Sequence, residues 1–227
     1  MLVAKGLARV VSQVALFAAF LLIPAGTWDW PRAIQFLSGF AVVHTIATLA
    51  LAWRAPASLE ARLPSTSGKK PPEADRIVAL FLATMLGGWF VFIPIDVFRL
   101  QLLPQPSLAL SMFGGGLWLA GYGVMLASLV QNEFAEPVVK DQADRGQVLI
   151  DTGLYAYVRH PMYLGALLFF AGIALWLESI ASLLAVPLAF APLIARIFVE
   201  EKALQGTLDG YSGYMERVRF RLIPFVW

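Results

Sequence analysis

The chain has 227 residues, of which 59% are hydrophobic and only 14% are charged, and its formal net charge at pH 7 is +2. This composition excludes an ordinary soluble domain and indicates an integral membrane protein, and so small a net charge gives no reason to expect a nucleic-acid partner. The sequence has no cysteine, which excludes disulfides, thiolate nucleophiles and cysteine-ligated metal.

Apolar runs predict the membrane helices in chain order. The first four runs fall at about 8–25, 33–53, 77–97 and 108–131. Each suits a crossing of a bilayer core about 30 Å thick, which takes about 20 residues. A fifth run, 162–199, is too long for one crossing and is interrupted by Glu178 and Ser179. We therefore predict an all-α polytopic fold of about six spans, in which the last two form a helical hairpin.

Lysine and arginine concentrate in alternate connections. They occur before the first span, in the 54–76 loop, in 132–160 and after residue 200. The positive-inside rule then places both termini in the cytoplasm, and we expect a bacterial inner membrane. We divide the chain into a four-helix region, 1–131, and a C-terminal region, 132–227, which holds a polar segment, the hairpin and a cytosolic tail. The 54–76 loop is either a connector or a lid.

A cluster of polar side chains directly precedes the hairpin. Tyr155, Tyr157, Arg159, His160 and Tyr163 fall within nine residues, next to a long apolar run. The proline that follows His160 suits the first turn of a helix, where its missing N–H costs nothing. The cluster is therefore predicted at the N-terminus of the fifth span, where free N–H groups favour an anionic group.

The sixth span carries a second polar group near its end. Arg196 and Glu200 are spaced i, i+4 and share one helix face. Ionisable residues within membrane segments are usually functional or paired, because burying a charge is costly. The hairpin brings both polar groups to one membrane interface and favours a site there. Taken singly, Arg159 and Tyr163 could be interfacial anchors, and Arg196 with Glu200 a helix salt bridge.

An ordered set of motifs extends over about residues 130–227. It reads TGLYAYVRHPMYLG, then an apolar hairpin, EEKAL and YSGYMERVRFRLIP. This order resembles the isoprenylcysteine carboxyl methyltransferase and phospholipid methyltransferase superfamily, with its pattern G-x-Y-x-x-x-R-H-P-x-Y-x-G, E-E-x-x-L and Y-x-x-Y. The resemblance implies an integral membrane methyltransferase that uses S-adenosyl-L-methionine and acts on a lipid-soluble acceptor at the cytosolic interface, without a metal.

The resemblance also implies roles for individual residues. Arg196 and Glu200 are the expected catalytic residues, with Arg196 at the position that meets the substrate. The expected cofactor contacts precede the fifth span, begin it, or end the sixth: Gln147, Val148, Leu149, Ile150, Tyr155, His160, Pro161, Met162, Tyr163 and Glu200.

Several functions remain open at this point. The first is carboxyl O-methylation of a prenylcysteine-like or other lipidic acid. A carboxylate nucleophile is already ionised at neutral pH and needs only to be positioned, for which Arg196 is suited. The second is N-methylation of an ethanolamine-type phospholipid, which needs a base such as His160 or a tyrosine. The others are an NADPH-dependent reductase of the sterol type and a transporter or other non-catalytic membrane protein.

Three features elsewhere in the spans are predicted to be structural. The glycines at 114–116 suit close helix packing rather than a nucleotide-binding loop. His44 is expected to be hydrogen-bonded within the membrane region. Asp96 is expected at the membrane interface opposite the candidate site.

Overall fold

The computed structural model describes residues 1–63, 73–134 and 147–227, without the side chains of 73–76, 78 and 79. All regular secondary structure in these ranges is helical. Its α-helices are α1 Leu2–Ala25, α2 Pro31–Arg54, α3 Pro56–Glu60, α4 Glu73–Ile95, α5 Leu108–Gln131, α6 Pro161–Trp176, α7 Ile180–Ala189, α8 Ala191–Thr207 and α9 Tyr211–Arg217. The predicted 54–76 loop and the predicted polar segment therefore lie partly outside the described residues.

The predicted all-α polytopic fold is confirmed. Within the described ranges, five helices have the length and hydropathy of membrane spans: Leu2–Ala25, Pro31–Arg54, Leu80–Leu100, Leu108–Gln131 and Ile180–Thr207. The remaining predicted span, α6, is apolar but has only 16 residues. At 1.5 Å per residue it is about 24 Å long, which is shorter than a typical hydrocarbon core.

Local signals explain where the helices begin and end. Gly26 follows α1 with φ 72°, a left-handed conformation that glycine adopts without steric cost. A proline opens α2 at its first turn, as Pro161 opens α6. Ser107 caps α5, since its hydroxyl accepts a hydrogen bond from the Leu110 N–H at 3.3 Å. These short-range features agree with the boundaries predicted from the sequence.

The two ends of the bundle are each tied together by polar contacts. At one end, which we call the near end, the Leu154 N–H donates to Gln131 Oε1 at 2.9 Å and the Ser58 hydroxyl to the Leu129 carbonyl at 3.1 Å. At the opposite, far end, Trp176 Nε1 donates to the Arg32 carbonyl at 3.0 Å. The near end holds the start of α6 and the end of α8.

The predicted hairpin turns at Glu178 and Ser179, as expected. Ser179 caps α7 by accepting from the Ser182 N–H at 3.0 Å, and its hydroxyl donates to Asp96 Oδ2 at 2.6 Å. Asp96 thus lies at the end of the bundle opposite the candidate site, where it is buried beneath the turn with 3% of its surface exposed. Its carboxylate replaces water as the partner of the turn.

The second arm of the hairpin is broken into α7 and α8. The break is at Phe190, and Pro192 follows it in the first turn of α8. Proline has no N–H to donate and its ring crowds the preceding turn, which disfavours a continuous helix. The bend directs α8 back to the near end, where it meets the first turn of α6.

Glycines allow α5 and α6 to pack with their backbones in contact. A Cβ added at Gly121 would be 2.4 Å from the Phe169 N, and one added at Gly172 would be 2.3 Å from the Trp118 N. Gly114 and Gly165 are similarly crowded. The expectation of close packing within 114–116 is confirmed for Gly114, whereas Gly116 faces open space. Small residues at such a contact permit the dispersion and Cα–H interactions that hold membrane helices together.

This contact also crosses the predicted domain division. That division falls at the last residue of α5, and the helices on its two sides pack along their length. Gly121 of α5 packs beside Gly165 of α6, and Gly114 beside Gly172. With the two helices in this register, the first turn of α6 lies about one helical turn short of the end of α5. The start of α6 is therefore recessed from the near end, and the division into two regions stays a prediction.

Substituting Gly172 by alanine is expected to destabilise the protein strongly. The added methyl meets backbone atoms of α5, which can move only if the two helices separate. Overpacking of this kind costs about 1–3 kcal/mol, which corresponds to a fall in melting temperature of roughly 3–10 °C. The matched control is Gly123→Ala, because a Cβ at Gly123 has nothing within 4 Å. Equal melting temperatures of the two variants in detergent would contradict the packing argument.

The interior of the bundle is largely aromatic, and a polar pair links two of its helices. Phe17 and Phe90 stack at 4.6 Å between ring centroids, and Phe36 meets Trp118 edge-on at 5.8 Å. His44 Nδ1 is hydrogen-bonded to the Tyr122 hydroxyl, as expected for a histidine in a membrane helix. This bond links α2 to α5 and gives the partly buried imidazole a polar partner.

Candidate functional site at the near end

The first turn of α6 is held by the C-terminal tail. The Arg159 N–H donates to the Phe220 carbonyl and the His160 N–H to the Arg221 carbonyl, both at 2.9 Å. His160 is the N-cap residue of α6, and Pro161 directly after it is fully buried. The tail thus satisfies backbone donors at a helix start that would otherwise be buried without partners.

Tyr163 connects the two polar groups that the sequence places on different helices. Its hydroxyl donates to Glu200 Oε2 at 2.8 Å and accepts from Arg196 Nε at 3.1 Å. Arg196 is 7% exposed, so its charge is held inside the protein near the near end. The predicted convergence of 155–163 with 196–200 is therefore present, through a tyrosine whose hydroxyl contacts both Arg196 and Glu200.

Glu201 has a central place in the site that sequence reasoning missed. Its Oε1 lies 2.9 Å from Arg159 Nε and 3.3 Å from His160 Nε2, and its Oε2 accepts from Arg221 Nε at 2.9 Å. The residue is only 3% exposed. Adjacent residues of a helix point about 100° apart, so Glu200 and Glu201 serve different partners. The signal that could have revealed it was an acidic doublet in an apolar helix, matched by Arg159 and Arg221.

Aromatic side chains of the tail cover the cluster. The Tyr214 hydroxyl donates to the Tyr155 carbonyl at 2.8 Å, and Tyr214 is 2% exposed. The Arg221 guanidinium lies over the rings of Phe198 and Trp227, at 5.0 and 5.4 Å from their centroids. The tail therefore packs over the site.

The tyrosines at this end are kept protonated. Burial raises the pKa of Tyr155 to about 12, and burial also raises the pKa of Tyr211 and Tyr214 well above their ordinary value. Each phenol therefore stays neutral at physiological pH. These side chains can donate hydrogen bonds but are poor general bases.

The segment Gln147–Ile150 borders a polar cavity at the near end. It has no regular secondary structure, and among the described residues its backbone N–H and C=O groups have no hydrogen-bond partner. Val148 and Ile150 line a cavity of about 510 Å³ together with Arg54, Gln131 and Glu133. This volume is within the range of small-molecule sites, and free backbone groups suit the edge of a nucleobase.

Two known proteins or families resemble this chain. Residues 109–209 match the model of the phospholipid methyltransferase family. The fold is similar to the solved structure of the eukaryotic intramembrane Ras methyltransferase, isoprenylcysteine carboxyl methyltransferase, with a TM-score of 0.55 and 20% identity over 93% of this chain and 73% of that one. The chain is thus similar to a phospholipid methyltransferase family over residues 109–209, and to a membrane methyltransferase in its fold. No curated protein matches it.

The family match overlaps the motif region over residues 130–209, but it starts earlier and ends earlier than the motifs do. It begins in the first turn of α5 and ends before α9, so it includes the glycine-packed pair of helices and the acidic doublet. The tail that covers the site lies beyond the match. We count the tail as part of the candidate site because of the motif order and because it contacts Arg159, His160 and Glu201.

The remaining predicted site residues surround this cluster. His160 stacks on Tyr163 with 5.5 Å between ring centroids. Met162 packs against the apolar core, and Leu149 packs against the buried tyrosines of the tail. Gln147 is partly exposed beside them. Tyr157 is the one member of the sequence cluster that points outward, with 72% of its surface exposed.

Proposed function

We propose that this protein is an S-adenosyl-L-methionine-dependent methyltransferase that methylates a lipophilic acceptor at the near end of the bundle. The observation that carries the proposal is the bridge from Arg196 through Tyr163 to Glu200, recessed from the end of a membrane bundle and covered by the tail. A water-soluble donor and a lipid-soluble acceptor must meet at such a boundary. The similarity to a phospholipid methyltransferase family and the fold of a membrane methyltransferase support the reaction class.

The residues present fit the cofactor. S-adenosyl-L-methionine supplies, when bound, a methyl group on a cationic sulfur that a nucleophile displaces directly, so the protein mainly has to align and desolvate the reactants. Glu200 Oε2 accepts the hydrogen bond from the Tyr163 hydroxyl, and in the part of the chain that the structure describes Glu200 Oε1 has no partner. We propose that Glu200 faces the cationic part of the cofactor, and that the backbone of Gln147–Ile150 binds its base.

Arg196 is proposed to orient the acceptor. Its Nε is fixed by Tyr163, and a guanidinium held in this way can position a carboxylate by paired N–H bonds. Phe198 and Val199, on the same helix, are 48% and 58% exposed on the apolar surface. An acceptor diffusing in the bilayer therefore reaches the level of Arg196 along α8 without entering water.

Carboxyl O-methylation fits the site better than N-methylation does. A carboxylate needs no base, whereas an ammonium group must first lose a proton. The buried tyrosines are poor bases, because burial holds the pKa of Tyr155 at about 12. We therefore propose a prenylcysteine-like or other lipidic acid as acceptor. The match to the phospholipid methyltransferase family supports the second candidate, an ethanolamine-type phospholipid N-methyltransferase.

Two measurements test this function. Titration of the purified protein in detergent with S-adenosylhomocysteine is expected to give saturable heat, whereas NADPH is expected to give none. Labelled methyl from S-adenosylmethionine is then expected in membrane lipid, from which mild base releases it as methanol if the product is an ester. Base-stable label in a lipid headgroup would select N-methylation. Absence of S-adenosylhomocysteine binding, or binding of NADPH instead, would sink the methyltransferase proposal.

A further inference from the structure

A second cavity lies at the far end, away from the candidate methylation site. It is a cleft of about 960 Å³ between α2 and α5. Its walls include Phe36, Trp118 and Leu119, and Gly116 leaves its floor open, since a Cβ there would have nothing within 4 Å. Leu119 and Met112 are 47% and 55% exposed on the apolar side of the bundle. A groove of this kind, open to the hydrocarbon, accommodates a lipid chain.

Two opposite charges lie at the mouth of this cleft. Arg32 Nε contacts Glu178 Oε1 at 3.2 Å, and both residues line the cavity. The guanidinium lies over the Trp176 ring at 4.7 Å from its centroid, while the Trp176 N–H binds the Arg32 carbonyl. The pair is therefore held in a fixed position between α2 and the hairpin turn.

The ion pair leaves hydrogen-bonding capacity on both partners. It uses Nε of Arg32 and Oε1 of Glu178, and within residues 1–63, 73–134 and 147–227 the Arg32 Nη groups and Glu178 Oε2 have no further partner. Glu178 also has a left-handed backbone with φ 68°, a conformation that suits glycine far better. The backbone conformation therefore does not favour glutamate here; the ion pair with Arg32 uses one of its carboxylate oxygens, and a ligand with a cationic group would use the other.

We propose that this cleft binds a phospholipid whose headgroup carries both a phosphate and a primary ammonium group, as in phosphatidylethanolamine. The phosphate contacts the Nη groups of Arg32, the ammonium donates to Glu178 Oε2, and an acyl chain lies over Gly116. The start of α2 at Pro31 adds a partial positive charge that favours the phosphate. The site is distinct from the methylation site, because it lies in the opposite half of the membrane.

The charges at the mouth discriminate among headgroups. Phosphatidylglycerol has a phosphate but no cation, so it leaves Glu178 Oε2 without a partner beside an anion. Phosphatidylcholine has a cation without N–H groups, so it cannot donate a hydrogen bond to Glu178 Oε2. A primary ammonium satisfies both charges at once, and charge-assisted hydrogen bonds are the strong ones. The proposal does not depend on the proposed function.

Native mass spectrometry of the delipidated full chain with defined lipids tests this site. Phosphatidylethanolamine is expected to bind at least about fivefold more tightly than phosphatidylcholine or phosphatidylglycerol of the same chain length, a difference of one strong hydrogen bond. Gly116→Leu fills the groove and should abolish this binding. Gly123→Leu is the matched control, one heptad along the same exposed face, and should retain it. Glu178→Gln should still bind lipid through the acyl chain, but the affinities for the three lipids should become about equal.

Because phosphatidylethanolamine is also the acceptor in the alternative reaction, a variant of the methylation site separates the two locations. Arg196→Ala is expected to keep the headgroup preference, whatever it does to methyl transfer. Loss of the preference in Arg196→Ala with retention in Gly116→Leu would place the lipid at the methylation site and overturn the proposal. Equal binding of the three lipids would overturn it as well, and neither result depends on S-adenosylhomocysteine binding.

Discussion

Glu201→Gln is expected to reduce kcat/KM for methyl transfer by about 100-fold or more while the helical bundle stays folded. The side chain is 3% exposed and contacts two guanidinium groups and an imidazole. An amide in its place leaves the two guanidinium charges without their counter-ion. Removing one partner of a buried ion pair costs about 3–5 kcal/mol, enough to detach the tail rather than leave those charges buried.

The readouts distinguish this positioning role from a general loss of stability. Hydrogen exchange is expected to increase in residues 218–227 and in the first turn of α6, whose backbone donors bind the tail. Exchange in α1 and α2 should be unchanged. Glu216→Gln is the matched control, because Glu216 is exposed on α9. Activity of Glu201→Gln within about threefold of the parent would show that the cluster is not needed to hold the site.

Glu200→Gln and Arg196→Ala are expected to separate binding of the donor from turnover of the acceptor. A hydrogen bond to a charged group contributes about 1.5–3 kcal/mol, so Glu200→Gln should weaken S-adenosylhomocysteine binding by about 10–100-fold. Arg196→Ala should leave that affinity within about threefold and reduce acceptor turnover by about 100-fold. Calorimetry measures the first effect, and single-turnover labelling at saturating donor measures the second.

Tyr163→Phe provides the control that links these two variants. Its hydroxyl bridges Glu200 and Arg196, so removing it should affect both donor affinity and turnover, each by less than the direct variants do. Effects of residues within one such network are not additive, and the Tyr163→Phe, Arg196→Ala double variant should therefore be less impaired than the product of the single effects. If Glu200→Gln left donor affinity unchanged, the assignment of Glu200 would be wrong.

The four substitutions together rank the parts of the site. Glu201 and the tail are proposed to hold its architecture, Glu200 to bind the donor and Arg196 to place the acceptor. The proposed order of effects follows from burial, since Glu201 and Arg196 are 3% and 7% exposed while Glu200 is only partly buried. A buried charge is costly to leave unpaired, whereas a partly exposed one can be solvated.

The amino-acid sequence by itself determined the features that depend on short stretches of chain. Hydropathy located the membrane helices, Glu178 and Ser179 marked the hairpin turn, and Pro161 marked the start of α6. These signals are local, because a helix forms hydrogen bonds over four residues and a membrane span requires only a long apolar run. The spacing of Arg196 and Glu200 on one face followed from the same periodicity.

The tertiary structure alone decided which polar groups meet. The contacts of Glu201 join residues 20 and about 40 positions away, and no periodic pattern indicates which of several arginines a glutamate will pair with. The same holds for Asp96 beneath the hairpin turn and for Arg32 with Glu178 at the far cleft. Hydropathy is set residue by residue, whereas ion pairing is set by how the helices pack, and that packing depends on the whole chain.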